Sequence, residues 1–198
     1  MEKRFRIDGI GRFFIDYDPI NELSKKVNFL ALQEPQLVDI TGLLPDGWSF
    51  YLHSGGRFRC LSNNSIMVPE QHVKSAFGLT GTLHEIGHAR DPLVFVRGQA
   101  GMYAHSEMRR EYAASKYALE VLDDIRMPAL LRAICYVDIE AAMSSHLPSV
   151  ERKIMGDAEA RGLEPHIIQS ELMAEHNMWI ERHIRTRQRR MRPWYMFD

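Results

Sequence analysis

Thr82-Leu83-His84-Glu85-Ile86-Gly87-His88 is the stretch on which the reading of this chain turns. Histidines four apart lie one above the other on a helix, so both imidazoles can reach one metal ion. Glu85 follows the first histidine and points elsewhere, yet it can lean toward a water that such an ion holds. Leu79, Leu83 and Ile86 form an apolar stripe on another face. A core can therefore hold the helix while His84 and His88 look into a cleft. A shuffled chain of this composition would contain roughly 0.03 matches to H-E-x-x-H, so the spacing carries information.

Outward from this stretch, the helix is expected from about Glu70 to Arg90, with Gly78 and Gly81 as weak points and Pro92 as its stop. Upstream, Trp48 to His53 alternates like a strand. Ser54-Gly55-Gly56 turns the chain into Arg57 to Leu61, and Asn63-Asn64 turns it again into Ser65 to Val68. The natural expectation is a meander of three short strands. Further upstream, Phe5-Arg6-Ile7 and Arg12 to Tyr17 flank Asp8-Gly9-Ile10-Gly11 as a hairpin. Asp18-Pro19 then opens a helix carrying Ile20, Leu23, Val27 and Leu30. Downstream, helices are expected over Ser106 to Asp124, Ala129 to His146, Val150 to Arg161 and Pro165 to about Arg190. The expected fold is α+β, a small, mostly antiparallel sheet packed on the motif helix, followed by a helical C-terminal half. A single domain over 1–198 is expected, with a strand-rich part (1–68), zinc-site helices (69–128) and a helical part (129–198).

A catalytic zinc usually has three protein ligands and one open position. The next helix offers Glu107 and Glu111 on one face. Glu111 is the better candidate, because Ala114 and Ala118 share its face and let the two helices approach closely. Glu107, His105 and Asp91 remain alternatives. The longer pattern with a third histidine is excluded, since Asp91 and Val94 stand where its glycine and ligand belong.

The residues from Asn63 to His88, with Pro69-Glu70, Leu79-Thr80 and His84-Glu85-Ile86-Gly87-His88, resemble the ImmA/IrrE-type metallopeptidase family. Glu111-Tyr112-Ala113-Ala114-Ser115-Lys116-Tyr117-Ala118 is similar to that family's Glu-x-x-Ala pattern with its following aromatic-Ala pair, and Met127-Pro128 to the Met-Pro that often ends the segment. The likeness covers about Trp48 to Pro128. It implies a zincin-like, gluzincin-type zinc peptidase with His84, His88 and Glu111 as ligands of Zn2+ and Glu85 as catalytic base. Members of that family are commonly dedicated regulators, which implies a narrow-specificity endopeptidase acting on a repressor or antitoxin-type protein. An extended substrate is expected to add beside Ser65 to Val68. Tyr103, His105 and Tyr112 are candidates for stabilising the oxyanion.

Other features bound the reading. Hydrophobic residues make up 45% and charged residues 26%, and the formal net charge is −1, so nothing pulls the whole chain toward nucleic acid or an anionic surface. Cys60 and Cys135 are read as reduced thiols of a cytoplasmic protein, and Met1 to Arg6 lacks the apolar stretch of a signal peptide. The remaining histidines, His53, His72, His105, His146, His166, His176 and His183, show no second ligand spacing and are expected as surface or core polar packing rather than metal ligands. Arg182, Arg185, Arg187, Arg189, Arg190 and Arg192 are expected as a solvated helix end, with Trp194, Tyr195 and Phe197 packing back onto the body. A second function stands beside the peptidase: a zincin-scaffold binding protein that uses this basic helix to hold a protein partner or nucleic acid.

Overall fold

In the computed structural model, the residues described are 12–15, 36–72, 76–91, 104–127 and 129–191. Two strands, β1 (Arg12–Ile15) and β2 (Gln36–Asp39), pair antiparallel. The hairpin half at Phe5 to Ile7 and the helix over Ile20 to Leu30 lie outside the described residues, as do Trp194, Tyr195 and Phe197. The second sheet holds β3 (Ser49–His53), β4 (Arg59–Leu61) and β5 (Ser65–Pro69).

The strands fall where the alternation places them, but they do not form a meander. Their order is β3-β5-β4, with β3 parallel and β4 antiparallel to β5. The sheet is therefore mixed. Burial explains the order: Ser65, Ile66, Val68 and Pro69 are buried, so β5 takes the centre, while β4 carries the exposed Arg59 and forms an edge. Asn64 makes the tight return between β4 and β5 with φ 59°, a left-handed conformation that asparagine tolerates better than most residues.

Helices follow. They are α1 (Ala76–Ala89), α2 (Ala104–Asp124), α3 (Ala129–Glu151), α4 (Ile154–Arg161) and α5 (Pro165–Ile180). A π-turn over Glu181–Arg185 then leads into α6 (Thr186–Met191). Glu70–His72 is a short 3-10 turn, so the motif helix is shorter than expected. By contrast, α3 continues past His146 and through Pro148. The proline removes one main-chain donor, but buried Val150 anchors the last turn.

Leu79, Leu83 and Ile86 of α1 are fully buried, with Met108, Leu119 and Leu122 of α2 and Leu131, Cys135 and Met143 of α3. This layer fixes α1 between the sheet and the helical half. Gly87 sets how closely α1 meets α2, because a Cβ there would lie 2.7 Å from the Ala114 backbone. The result is a zincin-like α+β arrangement, with the motif helix at the junction of sheet and helices.

Candidate metal centre

His84 and His88 project from α1 into the gap between α1, α2 and α3. Their rings sit 4.7 Å apart, edge to face. Glu111 enters from α2 and places one oxygen, Oε2, 3.0 Å from His84 Nε2 and 3.2 Å from His88 Nε2. These three donors form the one group of three or more potential ligands that could hold an ion among the described residues. Zinc bonds of 2.0–2.1 Å imply ligand atoms about 3.3 Å apart in a tetrahedron, so the observed separations fit.

The surroundings support the same use. Ser115 Oγ donates to Met143 Sδ at 2.8 Å and lies 3.0 Å from His84 Nδ1, from which it can accept. A proton held on Nδ1 leaves Nε2 free to bind a cation. Glu107, the other carboxylate on this helix, pairs with Lys153 instead. Asp91 lies near Arg110, and neither belongs to the cluster. The small neighbours that favoured Glu111 over Glu107 in the sequence act as expected: the tight packing of Gly87 against Ala114 brings the Glu111 carboxylate to the imidazoles.

Electrostatics at the centre call for positive charge. Burial works against the Glu111 anion, yet hydrogen bonds from His84 and His88 hold its carboxyl well below the usual carboxylate range. Burial likewise opposes charging His84, but the hydrogen bond and charge of Glu111 outweigh it and raise its pKa. A divalent cation at the focus would supply the charge that protons otherwise provide. Burial also raises the pKa of Glu85, partly offset by His84, His88 and a hydrogen bond from the Cys60 main chain. The Cys60 thiol is pushed up to about 12 by burial and by Glu85, so it is not a thiolate.

An open cleft of about 740 Å³ adjoins these groups. On the sheet side it is walled by Gly56 to Cys60, which makes the edge strand β4, and not the central β5, the strand beside the site. The expected strand Ser65 to Val68 has both its edges occupied by β3 and β4. Across the cleft, α3 presents Ile139, Ala142, Ser145, His146 and Ser149.

His146 was expected as surface or core polar packing, and the structure places it beside the cluster, outside the ligand group. Its Nε2 lies 3.4 Å from Glu111 Oε2, and its ring stacks on that of His84 with centroids 6.0 Å apart. Burial lowers its pKa, with Glu111 pulling the other way. The signal lay in α3 itself, where Ser145, His146 and Ser149 recur at helical spacing. Which way that face points is a tertiary fact. Of the oxyanion candidates expected from the sequence, Tyr103 lies outside the described residues. Tyr112 stacks on Trp179 at 5.3 Å, and His105 Nδ1 sits 3.0 Å from Asp157 in a second pocket. Neither lines the cleft.

A zincin-type triad on a zincin-like α+β scaffold, with the capacity to hold a divalent metal such as Zn2+, is what fold and site together define. No protein-family model, curated protein or solved structure matches the chain. No helix among the described residues is long and apolar enough to cross a membrane.

Proposed function

We propose that this chain is a zinc-dependent endopeptidase of the gluzincin kind, similar to the ImmA/IrrE-type enzymes, with a narrow range of regulatory protein substrates. One observation carries the reading: the three convergent ligands border an open cleft that also holds the Glu85 carboxylate and the outer edge of β4, which pairs with no further strand among the described residues. His84 Nε2, His88 Nε2 and Glu111 would hold the ion, which when bound supplies an acidified water and polarises the scissile carbonyl.

The chain's own groups account for the rest. The open edge of β4 aligns an extended backbone across the cleft. Glu85 takes the proton of the attacking water as its oxygen bonds to the carbonyl carbon. The same carboxyl then gives that proton to the amine nitrogen as the C–N bond breaks. His146 Nε2–H donates a hydrogen bond to the carbonyl oxygen as negative charge grows there. Ser115 holds the His84 ring in its ligating tautomer.

The binding-protein alternative leans on the basic helix, and three of its arginines have partners within the chain. Arg185 reaches Glu140 and Glu181, Arg187 binds Asp123 at 2.8 Å, and Arg189 pairs with Glu181. This favours the peptidase reading. The test is incubation of zinc-loaded protein with co-encoded regulators and a denatured-protein mixture. Fragments absent from the Glu85→Gln control support the proposal, and no cut by the fully metallated protein contradicts it.

A further inference from the structure

Two guanidinium groups on the sheet side of the cleft have no part in the chemistry above. Arg57 and Arg59 flank Phe58 at the start of edge strand β4, and both line the cleft while remaining exposed. Phe58 between them also lines the cleft and packs toward the motif helix. Its ring lies on α1 at Gly81, where a Cβ would come within 2.7 Å of it. Residues two apart on an extended segment face the same side, so the two arginines form one cationic row along the rim.

That row has no counter-charge. Among the described residues neither side chain makes an ion pair, whereas Arg109, Arg161, Arg187 and Arg189 each engage a carboxylate. The sequence supplies none nearby, since no Asp or Glu occurs from Gly47 to Pro69. Of the other acids lining the cleft, Glu85 accepts from the Cys60 main chain, Glu111 is held by the imidazoles, and Asp138 stands on the opposite wall, on α3, with no ion pair to either arginine.

We propose that Arg57 and Arg59 form a subsite for acidic side chains, so that the cleft prefers an extended peptide with two carboxylates spaced two residues apart. The occupant being a peptide rests on the reading of the cleft given above. A strand added beside β4 places its own alternate residues opposite Arg57 and Arg59, and a guanidinium can take a carboxylate through two parallel hydrogen bonds. The row thus selects by charge without touching the bond that is cut.

The test uses the zinc-loaded Glu85→Gln protein, which holds peptide without cutting it. Fluorescein-labelled alanine-based peptides of one length carry Asp-x-Asp, Ala-x-Ala or Lys-x-Lys, and binding is read by fluorescence anisotropy at low and high salt. The acidic peptide is expected to bind about five- to thirty-fold tighter than the neutral one at low salt, with the gap narrowing as salt rises. Arg57→Glu with Arg59→Glu, at unchanged zinc content, is expected to reverse the order in favour of Lys-x-Lys.

Equal affinities, no binding of any peptide by fully metallated protein, or an order that the reversal leaves unchanged would each overturn the subsite. Self-association of the reversed protein without a change of preference would overturn it too, assigning the arginines to guarding the strand edge. Cleavage of a mixed peptide pool by the wild-type protein is scored separately, so loss of the peptidase reading is distinguishable from loss of the subsite.

Discussion

Two polar clusters bind a histidine to carboxylates in this molecule, and they are built to opposite rules. Around His105, Glu171 and Glu175 each meet an arginine, Arg161 and Arg109, and Asp157 is hydrogen-bonded to the His105 ring and main chain, so each acid has a partner within the protein. Around Glu111, one carboxylate oxygen is approached by His84, His88 and His146, and a second buried carboxylate, Glu85, stands beside them. The first cluster is paired within the protein, while the second has the ligands to hold a divalent cation. Asp157 even serves the fold directly, accepting from the His105 main-chain N–H in the first turn of α2. A histidine–carboxylate contact is thus not itself a sign of chemistry; the balance of charge around it separates a brace from a site.

The contrast can be broken at either cluster. The largest effect is expected from Glu85→Gln, which should lower peptide cleavage by about 10²- to 10⁴-fold while zinc content stays unchanged. Loss of zinc in that variant would move Glu85 into the ligand set. Next comes Ser115→Ala, which frees the His84 ring and should weaken zinc affinity by about 10- to 100-fold in a competition titration with a chelating dye. Equal affinity would mean that the Ser115 contact does not orient the ligand.

At the other cluster, Asp157→Ala should cost about 1–3 kcal/mol in chemical denaturation, because it strands the His105 donors, and it should leave zinc affinity untouched. A coupled loss of metal would erase the division between brace and site. The smallest effect belongs to the cleft wall, where burial raises the Asp138 carboxyl to about 6. The folded form binds the proton more tightly than the unfolded chain, so the stability linked to Asp138 is full below about pH 4 and is lost as pH rises through about 6. In chelator-treated protein, Asp138→Asn should therefore be more stable by about 1–2 kcal/mol at pH 7, allowing for solvent screening, and that advantage should fade toward pH 4. A constant advantage across this range would remove the charge as its cause.

How much of this could be seen in the sequence follows from which forces are local. The motif helix, its stripe of Leu79, Leu83 and Ile86 and the three strands were legible, because apolar period and turn residues act over a few positions. Sheet order was not. The choice of β5 as the central strand depends on which segment the helices cover, and that is decided only when Ile66 and Val68 are buried. At the site, Glu111 was legible through Ala114 and Ala118, residues small enough for helices to meet. His146 was not, because its role depends on α3 turning one face toward α1, and nothing within that helix records its neighbour. The basic run near the C-terminus misleads in the opposite direction. Its charge is conspicuous in sequence, but Asp123, Glu140 and Glu181 absorb Arg185, Arg187 and Arg189.

The central claim is that the cluster around Glu111 takes a cation which the cluster around Asp157 does not need. Elemental analysis after equilibration in chelator-buffered zinc tests it most directly on the wild-type protein, Glu111→Ala and Asp157→Ala. The account predicts one zinc per chain in the wild-type and Asp157→Ala proteins, and close to none in Glu111→Ala. Zinc retained by Glu111→Ala, or none bound by a folded wild-type protein, would contradict it.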